Sequence, residues 1–105
     1  MSDWYQIENN HFVIQVNSSG AEMKRLFAKA WHRELLWLPQ DEQERKVWNR
    51  SSPLLFPIVG KLKDDQYHLK GKNYAMSQHG FARDWEFKCL ECGSSEITFF
   101  LEATQ

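Results

Sequence analysis

Cysteine is scarce in this chain of 105 residues: Cys89 and Cys92 are the pair it holds. Their C-x-x-C spacing suits a redox pair or half of a zinc site, but tetrahedral zinc takes four ligands and there is no second pair. His68 and His79 follow no zinc-module spacing, so the expectation is reduced structural cysteines, with no metal or other cofactor. A surplus of charge is also missing. Thirteen Lys and Arg stand against 14 Asp and Glu, a formal charge of -1. No one-signed field draws the chain to nucleic acid or to an anionic membrane, and neither partner is expected. No apolar run approaches the roughly 20 residues of a membrane helix. The opening MSDWYQIENN has neither the basic region nor the apolar stretch of a secretory signal. A soluble cytoplasmic chain of at most one domain is the resulting expectation. With five glycines and three prolines, there is no Gly/Ser linker, internal repeat or phosphate-binding glycine loop, and Lys70-Gly71-Lys72 reads as a turn.

Aromatic residues are plentiful by contrast. Five Trp, three Tyr and seven Phe make up 14% of the chain, a large apolar area for a chain whose size limits what it can bury. Either this is a well-packed small β domain, or it is a piece of a larger fold whose aromatics expect partners.

Along the chain, His11 to Val16 is rich in β-formers and runs into the turn-like cluster Asn17-Ser18-Ser19-Gly20. Ala21 to Trp37 is ambiguous. Met23, Leu26, Phe27, Ala30 and Trp31 give a partial helical stripe and the charged residues favour a helix, whereas Leu35-Leu36-Trp37-Leu38 before Pro39 suits a strand. Asp41 to Arg50 reads as a solvated loop or short surface helix. Ser52 to Gly60 places Pro53 and Pro57 among apolar residues, which neither a helix nor a central strand accommodates, so a buried irregular connection is expected. After a charged turn at Lys63-Asp64-Asp65, Gln66 to Leu69 and Tyr74 to Met76 flank a glycine turn as a hairpin. Trp85 to Leu90 and Ile97 to Leu101 form a second hairpin.

Reactive types converge between the hairpins, at Ser77-Gln78-His79-Gly80-Phe81-Ala82-Arg83-Asp84. Loops on a rigid β scaffold commonly carry binding groups, and glycine beside an imidazole leaves room for a ligand. His79 can be a functional histidine or a capped loop residue, and the residues alone leave both open. Arg83 can clamp a hydroxyl or anionic oxygen, although pairing with Asp84 or Glu86 is the first expectation. Asp84 reads as an arginine partner or turn residue. Lys61 is the basic residue expected nearest His79 in space, and Arg50 is a second candidate cation; an exposed charge is the plainer reading of each. His11, His32 and His68 read as structural or exposed.

The run LLFPIVGKLKDDQYHLKGKNYAMSQHGFARDWEF, residues 54 to 87, closely resembles the aldose 1-epimerase (galactose mutarotase) superfamily. It is most similar to the LacX-type branch, and its HGFAR element also resembles hexose-6-phosphate mutarotases. The similarity extends back through NSSGAEM, residues 17 to 23, and forward to the Ile97 to Leu101 strand. FPIVG, the glycine hairpin and QHGFAR together make it specific, where a bare HG pair would carry nothing.

The resemblance implies a mainly β chain forming the amino-terminal part of a galactose mutarotase-like β-supersandwich. It also implies that Ala21 to Trp37 forms strands joined by a turn near Lys29, with Trp31 and Trp37 on sheet faces. The implied activity is interconversion of α and β anomers of an aldose or sugar phosphate. A glutamate takes the anomeric hydroxyl proton while a histidine protonates the ring oxygen, so the ring opens and recloses on either face. His79 matches the first active-site histidine of the family, a sugar contact and electrophilic helper. Lys61 stands where classical mutarotases place a substrate-binding arginine, keeping the charge and losing the bidentate fork. Arg83 matches the arginine of HGFAR, a contact for the anion in the sugar-phosphate branch. The resemblance covers only the amino-terminal third of such proteins. Residues 1–105 are therefore expected to be a partial domain, without the catalytic glutamate, the second histidine or the rest of the fold. None of Glu86, Glu91, Glu96 and Glu102 stands in a matching motif. The isolated chain is expected to be inactive, and to self-associate or to pair with the missing carboxy-terminal portion through exposed sheet edges and apolar surface. The alternative is a non-catalytic carbohydrate-binding or structural β module.

Overall fold

The structure is a computed structural model that describes residues 2–103. Four antiparallel strands form a meander in chain order: β1 (Trp4–Glu8), β2 (Phe12–Asn17), β3 (Glu22–Ala28) and the short β4 (Arg33–Glu34). A surface α-helix, α1 (Glu42–Val47), follows. Two separate hairpins complete the described chain, β5 (Gln66–Leu69) with β6 (Lys72–Ala75) and β7 (Lys88–Cys92) with β8 (Ile97–Phe100).

The helical stripe of Ala21 to Trp37 is overridden. β3 pairs with β2 from Phe12↔Ala28 to Asn17↔Glu22, and the chain turns back at Lys29 to His32, as the resemblance implies. A residue's partners across a ladder outweigh its modest helix propensity. The Glu34 carboxylate closes the corner, accepting from the backbone N–H groups of Leu26 at 2.7 Å and Leu36 at 3.2 Å and from Arg25 Nε at 3.0 Å. This clasp ends β4, so Leu35 to Leu38 is not a strand. Trp31 and Trp37 therefore do not occupy sheet faces. Trp31 lies in the turn, 73% exposed, and Trp37 donates its indole N–H to the Trp48 carbonyl at 2.7 Å.

α1 has the signals of a short autonomous surface helix. The N-cap Asp41 accepts from Glu44 N at 2.9 Å, satisfying an orphan N–H of the first turn, and the Glu44 carboxylate reaches back to accept from Gln40 N at 2.7 Å. Acidic residues occupy its first turn and basic ones its last, matching the helix dipole.

Ser52 to Gly60 is irregular as expected but not buried in this chain. Leu55, Phe56 and Val59 are exposed, Val59 at 76%. The second hairpin begins at Lys88 rather than Trp85, because residues 85–87 pair elsewhere. Gly20 N donates to the Trp85 carbonyl at 2.7 Å and Phe87 N to the Ser18 carbonyl at 2.9 Å. The β2–β3 turn is thereby stitched to the segment after Arg83. Gly20 has φ +73°, and a Cβ there would run into the Arg83 carbonyl; only glycine permits this approach.

Apolar burial is slight, with Val16, Ala28 and Ala82 buried. The largest fully buried side chains are polar, Glu22 and Ser18, and Asn17 and Ser51 are buried beside them. The Ser18 hydroxyl donates to the Glu86 carboxylate and accepts from Asp3 N at 2.8 Å. This polar knot, rather than an apolar core, holds the meander against the loop that carries the histidine.

Candidate functional site

The segment from Ser77 to Asp84 is anchored through its middle, at residues 79–82. Gly80, at φ +79°, forms an isolated parallel bridge with Phe56, and a Cβ there would strike the Phe56 carbonyl. That carbonyl accepts from Phe81 N at 3.1 Å and Ala82 N at 3.2 Å. The FPIVG segment and the QHGFAR loop are thus one backbone assembly.

His79 is held twice by Gly60. Its backbone N–H donates to the Gly60 carbonyl at 2.7 Å, and the Gly60 N–H donates to His79 Nδ1 at 2.9 Å. An Nδ1 that accepts a backbone hydrogen bond carries no proton in the neutral ring, which assigns the proton to Nε2. His79 itself takes the left-handed backbone, φ +64°, a conformation that costs a non-glycine residue and persists where surrounding bonds impose it. The Gly60 clasp is that imposition.

His79 and Arg83 come together on one cavity of about 470 Å³, lined also by Trp48, Pro53, Leu55 and Gln78. One Arg83 terminal nitrogen donates to the Gln78 carbonyl at 3.0 Å, while its buried Nε has no partner among the described residues. The expected pairing of Arg83 with Asp84 or Glu86 does not form. Asp84 accepts from Arg50 at 2.6 Å, and Glu86 is taken by Ser18. The lining therefore presents two donors (His79 Nε2–H and the Arg83 guanidinium) and the Gln78 amide, which can donate or accept, against apolar walls and no carboxylate. Such a set suits a ligand rich in acceptor oxygens.

Lys61 and Arg50 lie outside this lining. Lys61 follows Gly60 in sequence, but its ammonium turns to Asp65, 2.5 Å away. Arg50 works beneath the loop, donating to the Arg83 carbonyl at 3.0 Å as well as to Asp84, with Glu22 3.5 Å away.

Glu22 is the residue that sequence reasoning missed, read there only as a helix-favouring charge. It is 1% exposed and accepts from Ser51 N at 2.6 Å and Ser52 N at 3.2 Å, with Lys24 at 3.1 Å. Burial alone would raise its pKa, but the Ser51 N–H, the Lys24 ammonium and the Ser52 N–H outweigh burial and hold the carboxyl below its ordinary range. Glu22 and Arg50 link the start of β3 to the backbone of Arg83. The one signal for it was its place in NSSGAEM, inside the resemblance.

The backbone matches solved structures of one architecture. A galactose mutarotase related enzyme from Lactobacillus acidophilus superposes with a TM-score of 0.88 at 37% identity, over 98% of this chain and 33% of that one. A galactose mutarotase-like protein from Lactobacillus casei ATCC 334 gives 0.82 at 41% identity, over 92% of this chain and 32% of that one. The fold is thus mainly β, of the galactose-mutarotase-like β-sandwich class. The aldose 1-epimerase family profile matches residues 3–105, and the chain belongs to that family. Among curated proteins, the chromosomal LacX protein of Lactococcus lactis subsp. lactis is 26% identical over 92% of this chain. The chain spans about a third of the length of these relatives (32% of LacX).

Proposed function

We propose that this chain carries the sugar-contacting histidine face of an aldose 1-epimerase, within a fold that interconverts the α and β anomers of an aldose or sugar phosphate. The observation that carries the reading is the shared cavity of His79 and Arg83, which offers an imidazole N–H and a guanidinium as donors. Sugar hydroxyls, the ring oxygen and phosphate oxygens are the acceptors such groups recognise. His79 Nε2–H would donate to a sugar oxygen and stabilise charge as the acetal opens. Arg83 would hold a second oxygen, the phosphate in a phosphorylated substrate, and Trp48 and Leu55 would pack an apolar sugar face. Lys61 and Arg50 are retained as substrate-binding candidates only if the loop rearranges on binding, since both are engaged elsewhere.

In the family the base and the second histidine come from segments beyond the matched third. The proposal therefore includes a partner: the portion of the sandwich that the relatives carry beyond this match, seated on the exposed apolar side chains Leu54 and Phe56. Residues 1–105 are accordingly read as a partial domain, with self-association through the same face where that portion is not supplied. A cytoplasmic location fits the two free thiols, Cys89 and Cys92. The second reading, a carbohydrate-binding module without catalysis, is favoured by the lack of any carboxylate in the cavity lining.

Exchange and saturation-transfer NMR with glucose, galactose and their 6-phosphates tests both. Anomer exchange faster than buffer, lost in His79→Ala, supports the epimerase reading. Saturation transfer to a sugar without acceleration supports the binding module. A folded chain that gives neither signal overturns both, and a response confined to the 6-phosphates that Arg83→Ala removes identifies the charged substrate.

A further inference from the structure

The hairpin β7–β8 brings together two nucleophilic side chains that the sugar site does not use. In a regular strand, residues three apart point to opposite faces. The register here shifts between Cys89 and Glu91: Cys89 faces Phe99, Glu91 faces Thr98 and Cys92 faces Ile97. Leu90 is the extra residue of this β-bulge, 63% exposed. Residues directly opposite in a ladder project to the same side, and Ile97 and Phe99, two apart, share one face. Cys89 and Cys92 therefore share it as well. Their ladder positions are two residues apart on the partner strand, about 6.8 Å in an antiparallel pair, at the upper end of the Cα separation of about 4.4–6.8 Å that a disulfide spans. Both thiols are free, Cys89 half-buried and Cys92 exposed. Tyr5 of β1 closes the face from the other side, its ring packed edge-on against Phe99 with centroids 5.3 Å apart.

We propose that Cys89 and Cys92 are a paired oxidation site, closed to an intrachain disulfide by hydroperoxides. The exposed Cys92 reacts first. Its thiolate sulfur attacks a peroxide oxygen, the O–O bond breaks, and the leaving oxygen takes up a proton, as water from hydrogen peroxide or as an alcohol from an organic hydroperoxide. Cys92 is left as a sulfenic acid. The Cys89 sulfur then attacks the Cys92 sulfur, the S–O bond breaks, and the leaving hydroxide takes up the Cys89 proton and departs as water. The two thiols lose two electrons and two protons, and the peroxide is reduced. Burial, and then the neighbouring Cys92 thiol, raise the pKa of the Cys89 thiol, which suits the resolving rather than the attacking position. The bulge thus converts a spacing that would separate the thiols into one that pairs them.

The test treats the folded chain with hydrogen peroxide, alkylates remaining thiols under denaturing conditions, and maps the products by mass spectrometry and non-reducing electrophoresis. Both thiols are expected to be lost in step. The peptide holding them should be lighter by two hydrogens, the chain should stay monomeric through the cross-link, and dithiothreitol should restore both thiols. Inserting one residue between Thr98 and Phe99, opposite Leu90, removes the bulge and leaves the two cysteines three apart in a regular ladder, on opposite faces; a folded insertion variant, checked by circular dichroism, should lose the intrachain product. The native chain decides the matter if that variant does not fold. Over-oxidation of Cys92 with Cys89 still alkylatable, a disulfide between chains, or no loss of thiol under conditions that oxidise glutathione overturns the proposal.

Discussion

Replacing Glu22 tests whether a polar knot, rather than apolar burial, holds the site together. The carboxylate is 1% exposed, and its two oxygens serve Ser51 N, Ser52 N, Lys24 and Arg50. Glu22→Ala leaves the Ser51 and Ser52 backbone N–H groups without their partner, at about 1–3 kcal/mol for each one that water does not reach. It also strips Lys24 and Arg50 of their shared anion, so the loss should reach the range of about 3–5 kcal/mol seen when one partner of a buried ion pair is removed. Glu22→Gln keeps one acceptor oxygen for Ser51 and Ser52 but loses the charge, and should cost about 1.5–3 kcal/mol. The pH dependence follows from the direction of the pKa. A carboxyl held below its ordinary value of 4.5 contributes stability that is fully present above that pH and is lost as pH falls through the folded value. Urea unfolding followed by tryptophan fluorescence should show the wild type's advantage over Glu22→Gln at neutral pH and its decline below about pH 4.5. Equal midpoints for the wild type and Glu22→Ala at pH 7, or an advantage over Glu22→Gln that is unchanged in acid, would refute the reasoning.

Gly80→Ala should destabilise the chain by at least about 2 kcal/mol, since a left-handed alanine is strained and its Cβ meets the Phe56 carbonyl; an unfolding free energy within about 0.5 kcal/mol of the wild type would count against the docked loop. Nitrogen-15 NMR of the His79 ring should find the neutral ring's proton on Nε2, and a proton on Nδ1 would break the assignment made from Gly60. His79→Asn keeps an acceptor near the Gly60 N–H and loses the distal donor, so it should stay folded and lose saturation transfer to any sugar that the wild type contacts. Arg50→Ala frees the Arg83 carbonyl and Asp84; backbone amide exchange at Asp84 and Trp85 should accelerate, and unchanged protection there would mean that Arg50 does not hold the loop.

Hairpins and turns were legible wherever local chemistry and long-range pairing agree. The Lys70-Gly71 turn, the charged turn before it and the Ile97 to Leu101 strand needed only neighbouring residues to be read, whereas Asp41 to Arg50 left loop and surface helix open until the structure placed a helix at Glu42–Val47. Ala21 to Trp37 was not legible locally, because its helical stripe competes with a ladder whose partner strand lies earlier in the chain; the family resemblance supplied the answer that periodicity did not. Trp31 and Trp37 escaped even that, since the Glu34 clasp ends the sheet before Trp37 and the turn carries Trp31 outward. At the site, QHGFAR drew attention to His79 and Arg83, yet the pairing of Arg83 was misread. Asp84 is adjacent in sequence, but Arg50, remote in sequence, reaches it first.

The sequence by itself determined the balance of charge, the position of the turns, the loop in which the histidine lies and the family to which the chain is similar. These depend on residue type and short spacing, which are written in the order of the residues. Tertiary structure alone decided that Gly60 sets the tautomer of His79, that Glu22 and Arg50 hold the loop, and that a bulge turns Cys89 and Cys92 to one face. Each depends on a backbone group or carboxylate brought across from a distant segment, or on one extra residue in a ladder. Hydrogen bonds act over about 3 Å in space and take no account of distance along the chain.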